Sequence, residues 1–237
     1  PDLVDWARLA GHTLVDSVAD DQGWTVLVRR SGASKVDPFS SGLATPLGQR
    51  LWMYTNFHCN LACTYCCADS SPSADARLLP VAVAAAAADE FVALGGREVI
   101  LTGGEPFLHP EIGALVGEVS TRAPVVILTN AMVFAKGARR AALESMDRQR
   151  VTLQISLDSA EPGLHDANRG AGSHARALAG IELARSLGFR VRVAATLDER
   201  EVSSTAALHA RLDQIGIPTE DRLIRPIAAQ GAADFGV

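Results

Sequence analysis

The chain has 237 residues, which is enough for one α/β domain with a large hydrophobic core. Hydrophobic residues make up 48% of it, and 27 acidic residues outnumber 22 basic ones. This slight negative charge argues against a nucleic-acid surface, and no apolar run reaches the roughly 20 residues that span a bilayer. The four cysteines are clustered, which is not typical of a secreted disulfide framework.

Residues 1–48 form a predicted small N-terminal extension. His12–Val18 and Trp24–Arg30 are predicted strands around a turn-prone Asp-Asp-Gln-Gly segment. Ser31–Gly48 is rich in Gly, Ser and Pro, which indicates a loop or linker. The first residues do not resemble a signal peptide. Because the chain starts with Pro1 and not with an initiator Met, we expect a processed chain or a fragment.

After this extension, predicted strands alternate with predicted helices. The strands are Leu51–Phe57, Glu98–Thr102, Val125–Leu128, Val151–Leu157, Arg190–Leu197 and Arg222–Ile227. The helices begin at Pro80, Pro110, about Ala135, Ser173 and Ser203, and end near Leu94, Val119, Met146, Leu187 and Ile215. Such repeated βαβ units require parallel strands, and the pattern fits a doubly wound sheet as well as a barrel.

The sequence also predicts the apolar faces of three helices and the N-cap of one. Apolar residues at helical spacing predict three buried stripes: Val83, Ala87, Phe91 and Leu94; Ile112, Leu115, Val116 and Val119; and Leu178, Ile181 and Leu187. Ser173 is the predicted N-cap of its helix. Ser159–Gly172 is predicted to be irregular.

The segment after the first predicted strand holds all four cysteines. Cys59, Cys63 and Cys66 are spaced i, i+4, i+7, and Cys67 follows at once. Thiolates favour zinc, copper(I) and iron–sulfur clusters. A structural zinc site usually has four protein ligands, often as two Cys-x-x-Cys pairs, and the chain has no second pair. Three cysteines could instead hold three irons of a cubane cluster that normally takes four; a chance group of buried or zinc-binding cysteines is the alternative.

The spacing Cys-x3-Cys-x2-Cys, with Tyr65 before the last cysteine, resembles the signature of radical S-adenosylmethionine (radical SAM) enzymes. The resemblance implies a [4Fe–4S] cluster whose open iron is chelated by S-adenosylmethionine. An electron from the cluster cleaves this cofactor to a 5′-deoxyadenosyl radical, which takes a hydrogen atom from the substrate. The resemblance also implies a parallel (β/α)6 partial TIM-like barrel from about Arg50 to Ile227, within a core domain of residues 49–237.

Four polar or glycine-rich segments follow predicted strands: the cysteine loop, Gly103–Pro106, Asn130 and Ser156–Asp158. Ligands of parallel α/β folds bind at the carboxyl ends of the strands. These segments are therefore expected to meet in one site.

Gly103-Gly104-Glu105-Pro106 resembles the family motif Gly-Gly-Glu-Pro, which implies binding of the cofactor's amino group. The glycines allow close approach of backbone to a ligand, and Glu105 can accept a hydrogen bond from an ammonium group. The alternative is a glycine-containing turn with a solvated glutamate.

The resemblance also assigns polar residues to the cofactor. Ser156 and Asp158 match a Ser-Leu-Asp segment and suit the ribose or the methionine end, unless they only form a turn. Asn130 is a weaker candidate, because Ala131 replaces the glycine of the family's Thr-Asn-Gly. Arg169 lies in a His-Asp-x-x-Arg-Gly pattern whose arginine pairs with the cofactor carboxylate.

We therefore expect a cytoplasmic radical SAM oxidoreductase or maturase that acts on a peptide or small-molecule substrate. An electron donor such as flavodoxin or ferredoxin would serve it. The alternative is a non-catalytic iron–sulfur or zinc protein used for binding or sensing. Cys67 is expected to be a small buried hydrophobe, with a role in redox chemistry or substrate contact as the alternative, and the histidines are expected to be structural. Arg225–Gly231 resembles the strand that precedes a cysteine-rich C-terminal domain in some members, and whether this protein has such a domain is left open.

Overall fold

The computed structural model describes residues 13–20, 23–29, 49–197 and 205–226, and the chain divides into two units, 1–47 and 48–237. In the first unit, β1 (Thr13–Asp20) and β2 (Gly23–Arg29) pair antiparallel, with Asp20 opposite Gly23. The predicted hairpin is confirmed, while the predicted linker Ser31–Gly48 lies outside the described residues.

The second unit contains a six-stranded sheet in which every neighbouring pair is parallel. Its strands are β3 (Arg50–Asn56), β4 (Glu98–Gly103), β5 (Val125–Thr129), β6 (Val151–Ser156), β7 (Arg190–Leu197) and β8 (Arg222–Pro226). Their order in the sheet follows the chain without a reversal. A doubly wound sheet would reverse its strand order at a switch point, so the predicted partial barrel is confirmed.

Six helices accompany these strands. They are α1 (Val81–Ala93), α2 (Ile112–Arg122), α3 (Gly137–Ser145), α4 (Pro162–Arg169), α5 (Ser173–Ser186) and α6 (Thr205–Gln214). Short 3₁₀ turns follow β4 at Pro106–Leu108 and precede β8 at Thr219–Asp221. No helix in the described parts of the chain is long and apolar enough to cross a membrane.

The prediction that Ser159–Gly172 is irregular is wrong, because α4 lies within it. Pro162 occupies the first turn, where its missing N–H costs nothing, and Gly170 ends the helix at φ +103°. With only eight residues and one buried side chain, His165, this helix has too few apolar positions to show a period.

The predicted buried stripe of α1 is wrong in part. Ala84 and Ala88 are fully buried, whereas Val83 and Leu94 are 53% and 60% exposed. Small alanine side chains let α1 approach its neighbours closely, so the face with least side-chain volume turns inward. The stripe of α2 is confirmed, since Ile112, Leu115, Val116 and Val119 are all buried.

The predicted cap of α5 is also wrong. Gly172 is the N-cap, in the left-handed conformation, and Ser173 is the first helical residue. Asp166 caps the helix from α4: its carboxylate accepts the N–H groups of Gly172 at 2.6 Å and His174 at 2.8 Å. An acceptor six to eight residues away satisfies the free N–H groups that the predicted local serine would have served.

The main core lies between the sheet and the helices. Burial alternates along β6 and β7, so that one set of side chains, including Leu153, Ile155 and Val193, is fully enclosed. The alternate set faces the barrel interior and is only partly covered. Side chains on this interior face are therefore available to a ligand.

Candidate cluster and cofactor site

The polar segments that follow the strands do meet, around a cavity of about 350 Å³. Of the predicted site residues, its lining includes Cys59, Cys63, Tyr65, Cys66, Gly103, Gly104, Asn130, Ser156 and Arg169. The two remaining ones, Glu105 and Asp158, are buried at the same end of the sheet and are not part of the lining.

The cysteine loop is closed on itself by backbone contacts. A short parallel bridge joins His58 to Ser71, and the N–H of Cys59 donates to the Ser71 carbonyl at 3.1 Å. The N–H of Thr64 donates to the carbonyl of Asn168 in α4 at 3.1 Å. The loop therefore has fixed ends and one fixed contact with a helix.

Backbone N–H groups also point at two of the sulfurs. Leu61 donates to Cys59 Sγ and Ser70 donates to Cys66 Sγ, both at 3.4 Å. Hydrogen bonds to sulfur ligands help set the reduction potential of an iron–sulfur centre. The loop thus supplies both thiols and the outer contacts that such a centre uses.

The thiols are free, and burial raises the pKa of Cys59 to about 12. Burial also raises the pKa of Cys63. Because metal ligands must be thiolates, a metal that binds here displaces protons and reverses this penalty with its own charge.

The three thiols of the loop can be compared with the needs of a single ion and of a cluster. Within residues 49–197 and 205–225, no three His, Cys, Asp or Glu side chains lie close enough to hold one shared metal ion. A single zinc needs every sulfur about 2.3 Å from one point. A cubane instead binds each thiolate to a different iron, and three cysteines leave its fourth iron to a further ligand.

Cys67 does not behave as predicted. It is exposed and lines the cavity, so the prediction of a buried hydrophobe is wrong. Its sequence neighbours Ala68 and Asp69 are partly or fully exposed too. The loop is exposed at this point, and the small Cys67 side chain is in contact with solvent.

The two glycines of the Gly-Gly-Glu-Pro segment have an internal packing role. A Cβ at Gly103, whose φ is +134°, would lie 2.1 Å from the Asn56 carbonyl oxygen. A Cβ at Gly104 would lie 2.1 Å from the His58 carbonyl oxygen. These glycines let the start of the cysteine loop lie directly on the end of β4, where Glu105 N donates to His58 O at 3.0 Å.

The carboxylate of Glu105 is fully buried, so the alternative of a solvated glutamate is wrong. One oxygen accepts the Phe107 N–H at 3.0 Å and the Thr129 hydroxyl at 2.7 Å, and the other accepts the Asn130 N–H at 2.8 Å. Burial raises its pKa to about 7, against the opposing effect of these hydrogen bonds. Direct contact with a cofactor amine stays a prediction; the visible role is to join β4 to the end of β5.

The turn at Asn130 keeps its geometry without the family's glycine. Ala131 takes a left-handed φ of +62° and is buried. The Asn130 side chain donates to Asn60 at 2.9 Å and lies 3.9 Å from Cys59 Sγ. Asn130 therefore connects the end of β5 to the cysteine loop.

Asp158 accepts four hydrogen bonds. Arg169 donates from Nε at 2.6 Å and Nη2 at 3.1 Å, Thr196 N donates at 3.0 Å, and the Tyr65 hydroxyl donates as well. Burial acts to raise the pKa of Asp158, but the Arg169 charge and these donors hold it below its usual range. With its oxygens occupied, Asp158 positions its neighbours; its predicted contact with the cofactor stays a prediction.

Several contributors were not predicted as site residues. Thr129, Thr196, Asn56 and His165 all hold site residues in place. The Asn56 side chain donates to the Glu105 carbonyl at 3.0 Å, and the Asp158 N–H donates to His165 Nδ1 at 3.1 Å. Asn56, Thr129 and Thr196 lie at strand ends, which was the available signal, but their partners are 24 to 49 residues away. His165 lies within α4, seven residues from Asp158.

A three-cysteine loop after the first strand of an open parallel barrel defines an iron–sulfur α/β barrel protein. The chain matches the radical SAM superfamily over residues 53–198. It therefore belongs to this superfamily, whose members are enzymes that use a [4Fe–4S] cluster and S-adenosylmethionine.

Curated relatives include GTP 3′,8-cyclase 3 of Mycobacterium tuberculosis, 33% identical over 142 residues, which cover 55% of this chain and 36% of that protein. The subtilosin biosynthesis protein AlbA of Bacillus subtilis is 32% identical over 148 residues, covering 61% of this chain and 32% of AlbA. The chain thus spans about a third of the length of these relatives.

Solved structures share the fold. Streptococcus suis SuiB bound to S-adenosylmethionine has a TM-score of 0.63 at 18% identity, covering 77% of this chain and 41% of SuiB. Native anSMEcpe with bound AdoMet has a TM-score of 0.61 at 14% identity, covering 76% of this chain and 51% of that one.

Proposed function

We propose that residues 49–237 form the core domain of an enzyme that abstracts a hydrogen atom from a peptide or small-molecule substrate. A [4Fe–4S] cluster with S-adenosylmethionine supplies the 5′-deoxyadenosyl radical for this step. One observation carries the proposal: the free thiols of Cys59, Cys63 and Cys66, two strand-end glycines and an arginine line the same cavity.

Cys59, Cys63 and Cys66 would hold the cluster. The backbone at Gly103 and Gly104 borders the cavity beside them and would receive the amino group of the cofactor. The other proposed cofactor contacts are Tyr65, Glu105, Asn130, Ser156, Asp158 and Arg169. Of these, Glu105 and Asp158 would act mainly by holding Asn130 and Arg169 in place.

Arg169 is the proposed partner of the cofactor carboxylate. Its Nε and Nη2 are engaged by Asp158, and its Nη1 has no hydrogen-bond partner among the described residues. Its side chain is only 10% exposed, and it borders the cavity. A guanidinium whose orientation is fixed by one carboxylate is prepared to bind a second.

A peptide substrate is the favoured candidate. AlbA is described as a bacteriocin biosynthesis protein, and two of the similar structures are SuiB with precursor peptide SuiA and anSMEcpe with a peptide. The cyclases among the curated relatives support a nucleotide substrate as second candidate. An electron donor such as flavodoxin or ferredoxin is part of the proposal.

Anaerobic reconstitution with iron and sulfide, followed by a reductant and S-adenosylmethionine, tests the proposal. We expect about four irons per chain and production of 5′-deoxyadenosine. A protein that binds its full iron and releases no 5′-deoxyadenosine would support the non-catalytic alternative, and a protein that takes up one zinc in place of iron would support a zinc site.

A further inference from the structure

The interior face of the barrel carries two aromatic side chains that the cofactor proposal does not use. Trp52 and Tyr54, two positions apart on the edge strand β3, are 49% and 41% exposed. Both line the 350 Å³ cavity. Large exposed aromatic surface inside a ligand cavity is typical of a binding wall, because it gains free energy only when a ligand covers it.

Strand β8, the opposite edge of the sheet, adds a charge. Leu223 and Arg225 line the cavity, while Ile224 between them packs against the core, so Arg225 projects from the interior face. Arg225 and Trp52 also line a second cavity of about 180 Å³. The two edge strands thus present an arginine and an indole to the same space.

Among the described residues, the other arginines at this interior have carboxylate partners, and Arg225 has none. Arg50 lies 2.8 Å from Glu98, and Arg192 lies 3.4 Å from Asp221 and 3.8 Å from Glu98. No carboxylate lies within ion-pair distance of Arg225 in the parts of the chain that the structure describes. An uncompensated guanidinium at a partly enclosed site attracts an anion.

We propose that Arg225 binds an anionic group of the substrate, a carboxylate or a phosphate, while Trp52 and Tyr54 cover an adjoining flat or apolar part. This inference rests on the proposed function, since it names the substrate class of the same cavity. The amide of Gln154, which lines both cavities, is placed to contribute a neutral hydrogen bond. Arg169 remains the proposed partner of the cofactor carboxylate, so the cofactor carboxylate and the anionic group of the substrate each have their own arginine.

Calorimetric titration of the anaerobically reconstituted protein with three small probes tests this inference. Phenylacetate and phenyl phosphate carry the two candidate anions, and 2-phenylethanol is their neutral counterpart. We expect at least one anion to bind more tightly than the alcohol, and the better of the two identifies the group. Arg225→Gln should weaken that binding about tenfold or more, as expected for loss of a charge-assisted hydrogen bond, and Arg225→Lys should fall between.

Arg176→Gln is the matched control, because Arg176 is exposed on α5. It should bind the probes as the wild type does. Trp52→Ala should weaken the binding of all three phenyl-containing probes, while the anions should still bind more tightly than the alcohol. The inference is overturned if Arg225→Gln binds the anions like wild type, if the alcohol binds equally well, or if no probe binds saturably. Iron content and 5′-deoxyadenosine yield of the wild-type sample report separately on the proposed function.

Discussion

Arg169 donates to both carboxylate oxygens of Asp158, at 2.6 and 3.1 Å, and both side chains are largely buried. Arg169 ends α4, and Asp158 follows β6. The same carboxylate accepts the hydroxyl of Tyr65 from the cysteine loop. One buried anion therefore joins a helix, a strand end and the loop that carries the thiols.

Asp158→Asn should destabilise the fold by about 3 kcal/mol, because it leaves the buried Arg169 guanidinium without its counter-charge. Urea unfolding measures this loss. Glu144→Gln, which breaks the more exposed Arg140–Glu144 pair, is the control and should cost less than about 1 kcal/mol. Equal costs for the two variants would mean that Asp158 does not organise the site.

His165 should make stability depend on pH. Burial lowers its pKa from 6.5 to about 4, and its Nδ1 accepts the Asp158 N–H only when unprotonated. As pH falls from 6.5 towards 4, the unfolded chain gains a proton that the folded chain does not, so stability is lost, by about 3 kcal/mol at most.

The measurement is urea unfolding at several pH values for wild type and His165→Asn, whose amide oxygen can accept the same N–H. Burial raises the pKa of Glu105 to about 7, so this residue increases stability as the pH falls through the same range. The effect of His165 is therefore the difference between the pH profiles of wild type and His165→Asn. Parallel pH profiles would show that His165 does not titrate as described.

Glu105→Gln should cost about 1–3 kcal/mol, because an amide nitrogen cannot accept a hydrogen bond and one of three buried donors loses its acceptor. We also expect weaker S-adenosylmethionine binding with the cluster retained. Thermal unfolding, iron content and calorimetry separate these effects. Unchanged cofactor affinity would remove Glu105 from the cofactor site, and unchanged stability would contradict its role between β4 and β5.

Gly180→Ala should destabilise by about 1–3 kcal/mol through overpacking, because its Cβ would lie 2.6 Å from both the Cβ and the carbonyl oxygen of Ala131. In the double variant with Ala131→Gly, part of the lost stability should return. The second substitution removes the Ala131 Cβ but leaves its carbonyl oxygen 2.6 Å from the new Cβ. Gly117→Ala in α2, where a Cβ meets nothing within 4 Å, is the control and should be neutral or stabilising. Full recovery or none in the double variant would contradict this geometry.

Cys67 should be dispensable for the cluster. Cys67→Ala is expected to keep its iron and its 5′-deoxyadenosine yield, while Ala at Cys59, Cys63 or Cys66 abolishes both. In the protein without a cluster, the exposed Cys67 thiol should react with a maleimide before the buried Cys59 thiol. Loss of iron from Cys67→Ala would indicate a four-cysteine centre and contradict the radical SAM assignment of ligands.

Local patterns in the sequence were enough for the strands, for most helices and for placing the three proposed cluster ligands in one loop after the first strand of the sheet. Strand and helix periods depend on neighbouring residues, and the cysteine spacing is itself local. The meeting of the polar segments in one site was also predictable, because the carboxyl ends of parallel strands lie at one edge of the sheet. The helix α4 was missed because its eight residues include only one buried side chain, a histidine, and so show no clear hydrophobic periodicity.

Only the tertiary structure decided what the polar residues touch. Asp158 and Glu105 look like free ligands in sequence, yet donors 11 to 93 residues away occupy Asp158, and donors up to 25 residues away occupy Glu105. Gly103 and Gly104 proved necessary for the close packing of the cysteine loop on the end of β4. Hydrogen-bond partners, burial and the exposure of Cys67 depend on contacts between distant segments, and a local pattern does not encode these.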